Sequence, residues 1–205
     1  MRANIMMGKS GKRPVSIIGV NSTLNAVNTL DLTKPLDTAA GDLMIVSLTL
    51  SSFKTITPPA GWVLIVNNSY GAIYSKIATS SEPSAYSFSA ATTISGAIIT
   101  FRNAKIGVLG AVNTGTNTTQ TANSITITDN NSLLLAIYSA GGSYSYTYSV
   151  PSGFSQIAYD LDITRPSFSI MIKSEVNAGA TGDVISTATK SLTSVSNYLL
   201  SISPN

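Results

Sequence analysis

From Pro14 onward the chain is a succession of short apolar or β-branched runs, each closed by Gly, Pro, Asn, Asp or Ser. Fourteen can be marked, near 15–20, 42–50, 62–66, 72–78, 85–89, 94–101, 106–112, 124–128, 133–139, 144–150, 155–159, 167–174, 184–189 and 195–202. Runs of this kind at a spacing of roughly 8–15 residues predict an all-β sandwich or barrel. No segment keeps a 3.6-residue apolar period through three turns, so no helix is expected. The run at 42–50, Asp-Leu-Met-Ile-Val-Ser-Leu-Thr-Leu, is almost continuously apolar and reads as a buried central strand.

The solvent faces of these strands must be polar without being charged. Only 10% of the 205 residues are charged, whereas 31 serines and 24 threonines make up about a quarter of the chain. Threonine and serine suit exposed strand faces, where β-branching helps and charge is not required. With 43% hydrophobic residues and a net charge of +3, the chain can bury a core and is not expected to be disordered. It contains no His and no Cys. That excludes a Ser-His-Asp triad, a Cys-His dyad, an imidazole zinc site, a disulfide and an iron–sulfur cluster. No apolar run approaches the ~18 residues of a membrane helix, and no signal-peptide core follows the basic start.

Residues 1–13 differ from the rest. Arg2, Lys9, Lys12 and Arg13 are four of the 12 basic residues, and no acid precedes Asp31. Without this arm the body holds eight basic against nine acidic residues. The basic character therefore belongs to a tail. It reads either as a solvated terminus or as an arm that docks on an acidic surface or nucleic acid. Ile5, Met6 and Met7 favour docking in a partner's groove, with nucleic acid the lesser expectation. The expected organisation is a basic arm at 1–13 and a single β-sandwich domain at 14–205. No cofactor is implied.

The body also repeats itself. Gly41 to Val46, Thr57-Pro58-Pro59-Ala60-Gly61-Trp62, and a strand ending in Lys76 are matched by Asn131 to Ala136, Ser149-Val150-Pro151-Ser152-Gly153-Phe154, and a strand ending in Lys173. Two similar four-strand halves predict a jelly roll, two Greek keys in one body. Pro58, Pro59 and Gly61 then form a structural corner, and Trp62 should lie with Leu64 on its core side.

Several constellations carry possible chemistry. Asp160 and Asp162 share a face if their segment is a strand, and could serve as calcium ligands, a catalytic pair or solvated surface acids. Arg165 is close enough in sequence to neutralise them. Ser51-Ser52-Phe53-Lys54 matches S-x-x-K, but it precedes a Pro-Pro turn instead of opening a helix. The sequons at Asn21, Asn67, Asn117 and Asn130 are as many as chance supplies. Tyr144, Tyr146 and Tyr148 alternate with hydroxyl residues, so a strand would put all three on one face ~7 Å apart. Such a row could be an inter-subunit face, a core edge or a sugar-stacking platform.

The stretches Gly41 to Val46, Thr57 to Trp62, Tyr74 to Ala78, Glu82 to Phe88 and Ala97 to Arg102 together resemble a recurrent β-sandwich domain of tailed-phage virion proteins. Capsid cement or decoration proteins and fibre proteins are among them, and bacterial extracellular modules show a similar pattern. The resemblance spans about residues 40–202. It implies a non-enzymatic subunit, commonly trimeric, present in many copies on a particle. Neither a shaft nor shaft repeats accompany the domain, which favours cement over fibre. The partners implied are further copies of the chain and the major capsid protein or another virion protein. The location implied is the capsid surface, after synthesis in the host cytoplasm, with no membrane partner. The interface would comprise the arm residues and the tyrosine row. The other reading is a carbohydrate-binding module or adhesin that uses Trp62 or the tyrosines.

Overall fold

The computed structural model describes residues 12–142, 147–160 and 166–205. Among these the chain is all-β, with no helix and several antiparallel sheets, as a β-sandwich requires. The first half contributes β1 (Ser16–Thr33), β2 (Leu43–Leu50), β3 (Ile56–Thr57), β4 (Val63–Asn68), β5 (Gly71–Ile77) and β6 (Ala85–Arg102). The second contributes β7 (Ala104–Leu109), β8 (Asn117–Ala122), β9 (Thr126–Ile127), β10 (Ser132–Ala140), β11 (Ser155–Asp160), β12 (Ser167–Val176), β13 (Gly179–Ala180), β14 (Val184–Leu192) and β15 (Val195–Pro204).

Each half forms one complete sheet. The first runs β1-β6-β2-β5-β4, with β3 paired to β6; the second runs β7-β15-β10-β12-β11. Two Greek keys of a jelly roll would carry the chain back and forth between sheets. Here the chain completes one sheet before starting the other, so the duplication lies between the sheets.

The two halves match down to their irregularities. Ile65 is the extra residue of a bulge between β4 and β5, and Ile157 is its counterpart between β11 and β12. A one-residue shift in β1 against β6, between Ile17 and Gly19, recurs in β7 against β15. β3 pairs with β6 at Ala90, and the Tyr148–Ala188 bridge occupies the same place. Gly41 and Asn131 both adopt positive φ before their central strands.

The central strands explain the continuous apolar runs. β2, β10 and β15 are buried along their whole lengths because both of their faces are covered. Leu43, Ile45 and Ile99 meet Leu133, Leu135 and Leu200 in a core shared by the two sheets. The outer face of the first sheet is covered by the far ends of β1 and β6, which bring Leu30, Leu32 and Phe88 over Met44 and Val46. The outer face of the second is covered by β8 and β14, which bring Ala122 and Ala188 over Leu134 and Ala136. Residues 85–89 and 94–101 are therefore parts of one 18-residue strand, bulged against β1 where it bends. Residues 117–122, which fall between the runs marked at 106–112 and 124–128, form β8.

Candidate functional site

The Pro58-Pro59-Ala60-Gly61-Trp62 corner is built as the sequence suggests. Pro59 O accepts from Trp62 N at 3.4 Å, and Gly61 sits at φ +84°, a region that L side chains disfavour. The aliphatic end of Lys76 lies over Gly61, where a Cβ would come within 3.2 Å of its Cε. Trp62 is 7% exposed and packs edge-on to Tyr86 and Phe88, with ring centroids 5.1 and 5.4 Å away. Its expected neighbour Leu64 is 50% exposed instead. Leu64 lies opposite Tyr74 on the outermost strand of the sheet, ahead of the bulge at Ile65, and no further strand covers it there.

Beside this corner stands the densest polar cluster among the described residues. The Glu82 carboxylate accepts from Lys76 Nζ at 2.6 Å, Tyr86 Oη at 2.6 Å, Thr79 N at 2.8 Å and Thr79 Oγ1 at 3.0 Å. Burial alone would raise its pKa, but these four bonds outweigh burial and hold the carboxyl down at about 2. Tyr86 is pushed up, by burial first and then by Glu82. A fork from Arg102 Nε and Nη2 holds the Asp42 carboxylate at 3.0 and 2.9 Å. Burial opposes ionisation of Asp42, yet Arg102 and the Ala39 N–H still hold its pKa below the ordinary value. In the second half, Ser132 and Ser203 stand at the places of Asp42 and Arg102 and face each other at 3.5 Å. Both charged clusters tie turns to strands.

Other expected site residues fall differently. Tyr148 is a correction. It is buried, not on a surface row, and its ring lies 5.6 Å from Tyr138 in the outer core of the second sheet. Its counterpart in the first half is Ile56, also a core residue. Tyr144 and Tyr146 lie outside the described residues, and 147–150 form no strand beyond the single bridge at Tyr148. Of the arm, Arg2, Ile5, Met6, Met7 and Lys9 lie outside the described residues. Lys12 reaches Asp129 of its own chain at 2.8 Å, and Arg13 is exposed. Asp160 is a buried residue of β11, whereas Asp162 and Arg165 lie outside the described residues. Among the described residues, no three carboxylates converge as metal ligands would.

Two surface features were missed from the sequence. The first is the outer edge of the first sheet. Val63, Leu64 and Ile77 are 64%, 50% and 53% exposed there. The matching positions on β11 and β12 are Ser155, Gln156 and Ser174. The same backbone is thus apolar on one half and polar on the other. Aligning the repeats strand by strand would have revealed the difference.

The second is a cavity of about 230 Å³ at the end of the sandwich. It lies between the two-residue β4–β5 turn (Ser69 and Tyr70), the 113–116 loop after β7, and the Ser194–Val195 start of β15. The loop is fixed at its base, where Asn113 and Asn197 exchange backbone hydrogen bonds at 3.1 and 2.9 Å. Its lining residues are far apart in sequence and form no local motif.

No family model, curated protein or solved structure matches the chain.

Proposed function

We propose that the chain is a non-enzymatic structural subunit of a tailed-phage virion, a cement or decoration protein that binds the capsid surface as a homotrimer and stabilises the head. The observation that carries this reading is the unequal edge of the duplicated body. A pair of sheets on matching backbones allows a comparison position by position. The exposed Val63, Leu64 and Ile77 are not required by folding, since Ser155, Gln156 and Ser174 serve at the same positions. Apolar side chains exposed at these three positions on the first half alone are what contact with another protein calls for. The resemblance of residues 40–202 to virion β-sandwich domains supports the same reading. The polar clusters at Glu82 and Asp42 fit structural use, as each is closed by neighbouring turns and strands.

The test replaces these three residues with those of the other half, Val63→Ser, Leu64→Gln and Ile77→Ser together. The melting temperature should stay within a few degrees of the parent. Sedimentation should show loss of the trimer, and co-sedimentation with capsids lacking the native subunit should fall at least tenfold. A triple variant that still forms trimers and binds particles like the parent would remove the basis of this proposal.

A further inference from the structure

We infer that the cavity between the β4–β5 turn, the 113–116 loop and the start of β15 binds a neutral saccharide unit. This goes beyond a structural role on the particle and does not depend on it.

The lining argues for the ligand class. It contains no charged side chain, so an ionic ligand would find no partner there. Six of its eight lining residues carry a neutral hydroxyl or amide side chain. Among these residues, Tyr70 Oη, Thr114 Oγ1, Thr116 Oγ1, Ser194 Oγ and Asn68 Nδ2 bond to no other group among the described residues. Four hydroxyls that can each donate and accept, together with one amide donor, suit a ligand that itself carries hydroxyls on every side. Tyr70 adds an aromatic face with a polar tip, which a sugar ring's C–H face can cover.

The Tyr70 and Ser194 side of the cavity is held in place before any ligand arrives. Gly141 has no Cβ to collide with the Tyr70 ring, which packs closely over it. Two lining residues that are not glycine hold positive φ, Ser69 at +42° and Ser194 at +63°. Such backbone is retained where the surroundings over-determine it, and it concentrates at binding sites. At Ser194 the carbonyl is held by Gly141 N at 3.0 Å, and near Ser69 the Asn68 carbonyl is held by Ser196 Oγ at 2.8 Å. The size is also selective. About 230 Å³ lies below the ~300–1,000 Å³ of sites for drug-sized ligands, so one ring fits and a cofactor does not.

The test uses the purified full chain, labelled with ¹⁵N, and titrates glucose, galactose and N-acetylglucosamine against glucuronate and N-acetylneuraminate. A neutral sugar should shift amides at Asn68–Tyr70, Thr114–Thr116 and Ser194–Val195, with a Kd on the order of 1 mM, as one small ring allows. Tyr70→Ala should weaken binding at least tenfold. Because Tyr70 also packs on Gly141, a second variant, Thr114→Val with Thr116→Val on the exposed loop, should weaken it several-fold at unchanged melting temperature. The inference is overturned if no neutral sugar moves these amides, if the shifts fall elsewhere, if the charged sugars bind equally well, or if the loop variant binds like the parent. None of these readouts involves trimers or capsids, so this inference and the proposed particle role fail separately.

Discussion

At the scale of single residues, the first half relies on charge where the second uses neutral groups. Glu82 is the clearest case. It is ionised, nearly buried and held by Lys76, Tyr86 and Thr79, with a carboxyl pKa of about 2. In the unfolded chain a Glu titrates near ~4.3. A pKa depressed by folding gives stability that is fully present above the unfolded value. It is lost as pH falls through the window between about 4 and 2. The contribution is on the order of 3 kcal/mol. Thermal melts from pH 7 to pH 2 should show the parent falling toward Glu82→Gln as this window is crossed. The gap between them should be widest near neutrality, and parallel curves across the window would rule the linkage out. Burial of Trp62 was legible because a Pro-Pro-Ala-Gly turn ahead of an apolar run leaves an aromatic little choice but the core. The exposure of Leu64 was not, because which strand ends up at the edge of a sheet leaves no mark in the strand's own composition. Alternation in Ser143 to Ser149 left an inter-subunit face, a core edge and a sugar platform open, and Tyr148 lies in the outer core instead of at an interface.

At the scale of elements, central strands were readable and covering strands were not. β2 and β10 announce themselves because both faces are apolar, and only a strand covered twice can be so. β8 was hidden. Its sequence, Asn-Thr-Thr-Gln-Thr-Ala, offers only Gln120 and Ala122 to the interior. What attaches it is polar. Gln120 Oε1 accepts from the buried Asn197 Nδ2 at 3.0 Å, and Gln120 Nε2 donates to Asn117 O at 2.6 Å. Removing Gln120 strands a buried amide donor, which costs about 1–3 kcal/mol. Gln120→Ala should therefore lower global stability by about that amount. It should also open β8 and β14 first. Hydrogen exchange of their amides should accelerate well before that of β10 at the centre of the second sheet. Uniform acceleration in all three strands would show that β8 is not a separately attached cover.

At the scale of the whole molecule, the two sheets face each other as an approximate twofold pair. β2 lies over β10, β1 over β11, and β5 over β15. Thr49 and Ser139, equivalent residues of the two halves, donate and accept across this axis at 2.9 Å in the buried interior. An isologous contact of this kind is how two identical subunits would meet. The halves are nevertheless no longer interchangeable. Tyr198 reaches over Gly71 and donates to its carbonyl at 2.7 Å, and a Cβ on Gly71 would come within 2.8 Å of the Tyr198 ring. At the equivalent places the sizes are reversed, with Ala97 for Tyr198 and Phe168 for Gly71. Two copies of the first half would set Ala97 against Gly71 twice and leave two voids. Two copies of the second would set Tyr198 against Phe168 twice and overfill both places. Voids and overpacking each cost about 1–5 kcal/mol in a close-packed core. One of each half fills both places. Residues 1–103 and 104–205, expressed apart, each expose an inner sheet face bearing residues such as Leu43 and Ile99 or Leu135 and Leu200. Each fragment alone should therefore aggregate or remain poorly structured. Mixed, they should form a 1:1 complex with the circular dichroism of the intact chain and a cooperative melt. Light scattering and native mass spectrometry would read the stoichiometry directly. If either fragment forms a homodimer as stable as the mixed complex, size complementarity at Gly71 and Ala97 is not what pairs the halves. Gly71→Ala in the first fragment supplies the finer control. It should weaken the mixed complex by driving a methyl into Tyr198, and Tyr198→Ala in the second fragment should relieve that clash while leaving a void.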